Sequence, residues 1–496
     1  MAHLTGSASL GSLRGPAKLK AVTKLVDGLA EDLESATLQP QERDAALDEL
    51  KIYGRDPSYS DPIFTKEGIE TLTRFAFDSP SETTSRNSLR VICNAMLLKP
   101  ETRQIFVDLG YEPKVCSKLK TDSWDDEFLI SRVVFLTTYG TSIDLPNLIE
   151  QHQLADSIIQ NLSKHATRCS TPPAGKISRD PMEKMALDET LKLLFNVTRY
   201  ASDHTTSFDP AIPHIVTILC NHDLPPSTTP LDPPFSLLIN ALMNLNLVSP
   251  SAQPSLYPSD NDNSVATRLL ELLDLSMKAY TDTALEQNVT PLICVLSSVY
   301  ENAPSSSDPE SPVRTLIRSQ LLPSETDRSL GLGKADTLPS RLLRNWTNAL
   351  APEFRKAISH LYFELSGKDA GQFIENVGYG YASGFLFQNK IAVPEGAMQQ
   401  PQQQGRAGEG SGLGVGVGVG VGRRAVNPIT GQFLSEERFE ELPEMTMEEK
   451  EREAERLFVL FERLKQTGVV SVQNPVETAM QEGRFEELPD SDDEKK

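Results

Sequence analysis

Between Leu19 and Ile391 apolar side chains recur at i, i+3, i+4 and i+7, the spacing of helices that each bury one face. No alternating segment of strand length competes. Polar stretches rich in proline and serine interrupt the pattern at Asp56 to Asp61, Ser79 to Thr84, Thr171 to Pro181, Pro225 to Pro234, Ser249 to Asn263 and Pro304 to Pro312. The spacing therefore predicts helix after helix, joined by short loops.

One helical segment recurs in degenerate form. Taking Asn94, Leu136, Asn196, Asn244, Ser297 and Glu364 as equivalent points, the separations are 42, 60, 48, 53 and 67 residues. Armadillo and HEAT units run about 40 to 47 residues, so the shortest gap is one bare unit and the longer ones are a unit plus a loop. The expected fold is all-α, an armadillo/HEAT-like α-solenoid superhelix over 19–392, preceded by a disordered terminus at 1–18. In such a stack the innermost helices line one concave groove. A single buried asparagine usually caps a turn or bonds within a core. Three at matched repeat positions, Asn94, Asn196 and Asn244, favour amides that face the groove and read a bound peptide backbone.

Composition shifts after Ile391. A Gln-rich stretch and an alternating Gly-Val tract over 408–422 predict a flexible linker across 393–433, because glycine at every second position forbids a stable helix. The last segment, 434–496, is expected to be an acidic helical tail. Thr446 and Glu449 form a capping box ahead of a stripe of Ala454, Leu457, Phe458, Phe461 and Leu464, which predicts one helix near 447–466; Asn474-Pro475 predicts a second near 475–482. The hexapeptide Arg-Phe-Glu-Glu-Leu-Pro stands at both 438–443 and 484–489.

Charge narrows the function classes. Of 496 residues, 69 are acidic and 48 basic, a net of −21. Residues 436–496 alone carry 19 acidic against nine basic side chains, nearly half of that excess. An acid surplus of this size disfavours nucleic acid as a partner. No run of about 18 uncharged apolar residues marks a membrane span, and residues 1–20 lack the apolar stretch of a secretion signal, so the expected location is cytoplasmic. Cys93, Cys116, Cys169, Cys220 and Cys294 are odd in number and widely spaced, which predicts reduced thiols. There is no phosphate loop, metal-ligand spacing or nucleophile motif, and no cofactor is expected. Gly378, Gly380 and Gly384 follow a helix rather than a strand, which predicts a tight interhelical turn and not a nucleotide site.

Lys51 and Arg55 lie four apart at a predicted helix end, where two cations could grip a carboxylate; spacing alone favours a solvated surface pair. Arg90 and Arg132 each stand four residues before a groove point and extend a basic line along the concave wall. An acidic protein with a locally basic groove implies an anionic peptide end as ligand.

Three segments then resemble a family: Glu375-Asn-Val-Gly-Tyr-Gly-Tyr-Ala-Ser-Gly-Phe-Leu386, Asn427-Pro-Ile-Thr-Gly431, and the charged helix from Glu448 to Leu464. Together they are similar to the synembryn family of cytosolic chaperones and guanine-nucleotide exchange factors for heterotrimeric G-protein α subunits, in a fungal form. The resemblance implies a concave groove that takes the Gα C-terminal helix, GDP-bound or nucleotide-free, and a tail helix (Leu457, Phe458, Phe461, Leu464) that grips the Gα Ras-like domain. It implies no bond-making chemistry, a monomer, and recruitment to the cell cortex through Gα. Under it, Lys51 and Arg55 match a basic pair near the Gα C-terminus, with lysine where arginine would give bidentate geometry. Asn94 and Phe135 match groove positions, and Asn196, Asn240 and Asn244 line the same wall. Ser491, followed by Asp492, Asp493 and Glu494, is expected to be phosphorylated by an acidophilic kinase. The competing expectation is an armadillo-type peptide scaffold or transport adaptor; such adaptors pair an asparagine ladder with tryptophans, and only Trp124 and Trp346 occur here, neither at a repeat point.

Overall fold

A computed structural model describes residues 13–170, 180–258, 263–304, 311–394 and 424–437, together with Arg452 and Arg456. Among these residues the secondary structure is helical throughout, apart from one antiparallel bridge between Val426 and Phe433. The all-α expectation holds.

Seven helices form the inner row: α1 (Pro40–Tyr53), α2 (Glu82–Leu98), α3 (Trp124–Thr137), α4 (Pro181–Tyr200), α5 (Phe235–Asn244), α6 (Thr290–Glu301) and α7 (Pro352–Leu365). Each packs against the next. An outer row runs behind them, including the helices Lys66–Asp78, Leu154–Ser170, Ile212–Asn221 and Ser264–Ala279. Single units of this kind cannot bury both faces, and stacking supplies the missing neighbours.

Local sequence starts these helices where they start. Ser81 and Ser123 occupy the caps of α2 and α3, their hydroxyls accepting from the amides of Thr84 and Asp126 at 3.3 Å. Asp125, Asp126 and Glu127 crowd the first turn of α3, where the helix dipole favours negative charge. Pro181 opens α4, and Asp180 caps it by accepting from Met182 at 2.9 Å. Between the rows, Ile92 and Met96 of α2, Ile130 and Val133 of α3, Leu191 and Leu194 of α4, and Leu238 and Leu242 of α5 are buried in one continuous core. At Gly68 the Lys66–Asp78 helix crosses the Asp61–Phe64 turn so closely that a Cβ would lie 2.1 Å from the Pro62 carbonyl oxygen.

Two boundaries differ from expectation. The first helix spans Gly15–Ser35, with Pro16 in its opening turn, so order begins before residue 19. Lys18 within it is buried, its ammonium donating to the carbonyls of Asp56 and Ser58 at 2.8 Å. At the other end, residues 424–435 fold back as a strap against the Glu325–Leu330, Ala370–Val377 and Tyr379–Gln388 helices, so 424–433 do not belong to the expected linker. The chain divides into two units after Ser435. In the second unit Glu436, Glu437, Arg452 and Arg456 are described, the two arginines helical and exposed. Those two arginines fall within the expected helix near 447–466; the rest of it, the expected helix near 475–482, the stripe of Leu457, Phe458, Phe461 and Leu464, and Ser491 lie outside the described residues.

Among the described residues no helix is long and apolar enough to cross a membrane, no cluster of His, Cys, Asp and Glu could hold a metal, and none of the five cysteines is in a disulfide.

Candidate functional site: the inner helix row

The asparagines bind the inner helices to one another. Asn196 of α4 donates its amide to the Thr138 hydroxyl at 2.7 Å, and that hydroxyl donates in turn to the Phe135 carbonyl at 2.6 Å. One repeat later Asn244 of α5 donates to the Phe195 carbonyl at 3.2 Å and to the Thr198 hydroxyl at 3.3 Å. The acceptors are a repeated motif, Phe135-Leu-Thr-Thr138 and Phe195-Asn-Val-Thr198. Asn94 of α2 makes a longer bond, 3.4 Å, to the Lys51 carbonyl at the end of α1. The amide nitrogens are thus spent inside the row. Asn196 is buried, while Asn94, Asn240 and Asn244 are half-buried and keep their oxygens available. Asn240 has no side-chain partner among the described residues.

The arginines behave likewise. Arg90 pairs with Asp125 of α3 at 2.9 Å, and Arg132 with the buried Glu189 of α4 at 2.9 Å. What the spacing presents as a basic line is a series of ion pairs between successive inner helices. Lys51 is half-buried against Asp48. Arg55 does not share a helix face with it: α1 ends at Tyr53, Gly54 caps it, and Arg55 lies beyond, exposed and without a side-chain partner among the described residues. Arg199, near the end of α4, is exposed and has none among the described residues either.

Beneath this ladder sits a buried polar cluster. Glu127 accepts from the Thr190 hydroxyl at 2.8 Å and contacts His165 Nε2 at 2.8 Å and the Lys164 ammonium at 2.9 Å. Trp124 stacks on His165, with centroids 4.7 Å apart, and Lys164 lies over the Trp124 ring at 4.3 Å. Burial alone would raise the Glu127 carboxyl, but His165 and Lys164 outweigh it and hold the group below its ordinary range. Asp188 is the opposite case. Burial pushes it up to about 6 in spite of Lys184 and Lys192, and its Oδ1 has no hydrogen-bond partner.

Beyond the ladder, exposed apolar side chains follow on successive inner helices. Leu97, Tyr139, Tyr200 and Met243 are large and exposed, and each stands three or four residues beyond a ladder position, after Asn94, Phe135, Asn196 and Asn240 respectively. They collect at the C-terminal ends of α2 to α5. Phe135 meets Tyr139 edge-on at 5.2 Å, and Tyr139 meets Tyr200 edge-on at 6.5 Å, so three rings continue from α3 to α4. Further along the row, a cleft of about 390 Å³ between α6 and α7 is lined by Cys294, Ser297, Glu301, Lys356 and His360. These apolar residues were not singled out from sequence, although carrying each stripe one more helical turn reaches all four.

An inner wall of paired charges with an unpaired aromatic ledge suits a protein partner rather than chemistry. Comparison with known proteins agrees in kind: the family described as guanine nucleotide exchange factor synembryn matches residues 46–484. The chain belongs to the synembryn family. Among its relatives, the chaperone Ric-8A of Macaca fascicularis is 23% identical over 90% of this chain and 85% of its own length. A synembryn-like chaperone of Schizosaccharomyces pombe is 25% identical over 75% of this chain and 68% of its own, in keeping with a fungal synembryn. A solved engineered protein aligns with a TM-score of 0.40 at 14% identity, covering 78% of this chain and 89% of that one, too distant to bear on the synembryn fold.

Proposed function

We propose that this synembryn is an exchange factor and folding chaperone for heterotrimeric G-protein α subunits, taking the Gα C-terminal helix into the groove of the inner row. The observation that carries the reading is the edge-to-face series Phe135, Tyr139 and Tyr200, its two tyrosines exposed beside a ladder whose Asn196 amide and Arg90 and Arg132 guanidinium groups are spent within the row. An amphipathic helix laid in such a groove buries its apolar anchors on the rings. Arg55 and Arg199 are left to meet its carboxylates, and the free oxygens of Asn94, Asn240 and Asn244 to accept its donors.

Exchange follows by linkage. A groove that binds nucleotide-free Gα more tightly than GDP-bound Gα must weaken GDP affinity by the same factor. Drawing the C-terminal helix from its seat removes support from the nucleotide pocket, and no covalent step is required. Holding an open Gα also covers its exposed apolar core, so chaperoning uses the same surface. The tail stripe of Leu457, Phe458, Phe461 and Leu464 is a second contact on Gα. Phosphate on Ser491 would add about −1.5 to −2 charges to the acidic end and tune that contact. The protein acts in the cytoplasm as a monomer and reaches the cortex through Gα.

Adding purified protein to GDP-loaded Gα and following GDP release tests this. Accelerated release is expected. Binding without acceleration would leave a peptide scaffold, and neither binding nor acceleration would remove the reading.

A further inference from the structure

Residues 424–435 fold back onto the solenoid through contacts that need their particular sequence. Val426 and Phe433 pair across a short turn, and Phe433 is buried. Within the turn, Asn427 Oδ1 accepts from the Ile429 amide at 2.8 Å, and the Asn427 carbonyl accepts from Gly431 at 2.8 Å. The carbonyls of Pro428 and Ile429 then accept from the amides of Tyr379 and Gly380, at 2.8 and 3.0 Å. Those two amides open the Tyr379–Gln388 helix, where a helix has no acceptors of its own. The strap therefore caps that helix with main chain.

Glycine makes the seat possible on both sides. Gly378 has φ +78°, and a Cβ there would lie 2.8 Å from the Gly431 nitrogen; Gly431 has φ +69°, and a Cβ would lie 2.4 Å from Leu332 Cδ1.

Arg328 holds the seat closed. From the Glu325–Leu330 helix its Nη1 donates to the Gly431 carbonyl at 2.9 Å, while Nη2 donates to the Glu375 and Asn376 carbonyls at 3.1 and 3.2 Å. Its own carbonyl accepts from the Phe433 amide at 3.2 Å. One planar guanidinium thus joins the strap to the C-terminal end of the Ala370–Val377 helix, an end that favours a cation.

The strap decides where the tail begins. If the chain left the solenoid for good at Pro394, the tether to Thr446, the expected cap of the tail helix, would be roughly fifty residues. With the strap seated, chain between 395 and 423 closes a loop, and the tether starts at Ser435. It is then roughly ten residues. We infer that Arg328 is a positioning residue: by clamping the Asn427–Gly431 strap, it fixes the departure point of the acidic tail and raises the tail's effective concentration at a partner bound to the solenoid. On the length law for tethered sites the gain is about tenfold. The consequence for Gα rests on the tail being a second contact, as proposed above; the clamp itself does not.

The test uses the full chain, with Arg328→Ala and Gly431→Val as independent ways of unseating the strap, and a deletion of residues 400–419 as a change of loop length. Amide exchange at Tyr379 and Gly380 reads the seat without Gα. Both substitutions should accelerate it, and unchanged exchange in both would overturn the clamp. Gα affinity reads the tether. Deleting 400–419 should leave it unchanged in the parent chain, whereas Arg328→Ala should weaken it about tenfold, with about twofold recovered when the deletion is added. The loss should vanish when residues 436–496 are removed. A deletion that alone strengthens binding, or a loss that persists without the tail, would overturn the inference. Tail removal that costs the parent chain no affinity would instead strike the second-contact reading, with the exchange data still deciding the clamp.

Discussion

Asn196 on α4 and Thr138, which caps the C-terminal end of α3, meet at 2.7 Å, amide to hydroxyl, although 58 positions separate them in sequence. Because Thr138 passes the bond on to the Phe135 carbonyl, the pair ties the rigid inner row to the aromatic ledge above it. The same relay, Asn244 to Thr198, recurs one repeat later. These asparagines set the spacing of the wall that a ligand would lie against.

Asn196→Ala should therefore act on stability. Removing a buried amide and leaving the Thr138 hydroxyl with one partner fewer is expected to cost about 1–3 kcal/mol. A double-mutant cycle with Thr138→Val, followed by denaturant unfolding, should show coupling of roughly 0.5–1.5 kcal/mol. Additive losses would mean that the bond contributes nothing to holding the two helices together.

The ledge should behave in the opposite way. Tyr139→Ala and Tyr200→Ala remove exposed rings, so melting should move little, while Gα affinity falls by about 1–3 kcal/mol for each as the anchoring surface is lost. Titrating Gα against each variant by calorimetry, beside a melting curve, separates the two effects. Full affinity in both variants would place the partner elsewhere.

How far these roles could be read from sequence depends on the range of the interaction. Helix positions and the break at Gly378 are local and follow from apolar spacing and glycine. The matched asparagines at 94, 196 and 244 show as a repeat, yet the acceptors they choose lie on the preceding inner helix, 43 to 58 positions away, and nothing in a local window names them. Arg55 was open to local reading, since Gly54 is an ordinary helix stop and puts the arginine outside the helix that carries Lys51. The strap was not. Asn427 to Gly431 looks like linker because its partners, Arg328 and the turn at Gly378, are distant in sequence.

Asp188 gives the wall a pH signature. An acid raised by burial from 3.8 to about 6 is better accommodated protonated in the folded chain than in the unfolded one. Its ionisation therefore erodes stability as pH climbs from about 4 through 6, and the loss is complete above that. Asp188→Asn should raise stability at pH 7.5 by up to about 3 kcal/mol and give no gain near pH 4. Melting curves of both proteins across that range decide it, and parallel curves would contradict the assignment.

Charge at the first repeat is the next test. Reversing both cations, Lys51→Glu with Arg55→Glu, should weaken Gα binding by about 2–5 kcal/mol if they are desolvated against it. Reversing Arg90 or Arg132, whose charges are already matched by Asp125 and Glu189, should lower the melting temperature as well. Unchanged affinity in the Lys51, Arg55 variant would leave that pair as solvated surface.

The most direct measurement is a titration of the intact chain with a labelled peptide corresponding to the C-terminal helix of a Gα subunit, followed by displacement with whole nucleotide-free Gα. The account predicts saturable binding at one site, complete displacement by Gα, and loss of peptide binding in the chain carrying both Tyr139→Ala and Tyr200→Ala. A peptide that fails to bind, or one that stays bound when Gα is added, would contradict capture of the Gα C-terminus by the inner helix row.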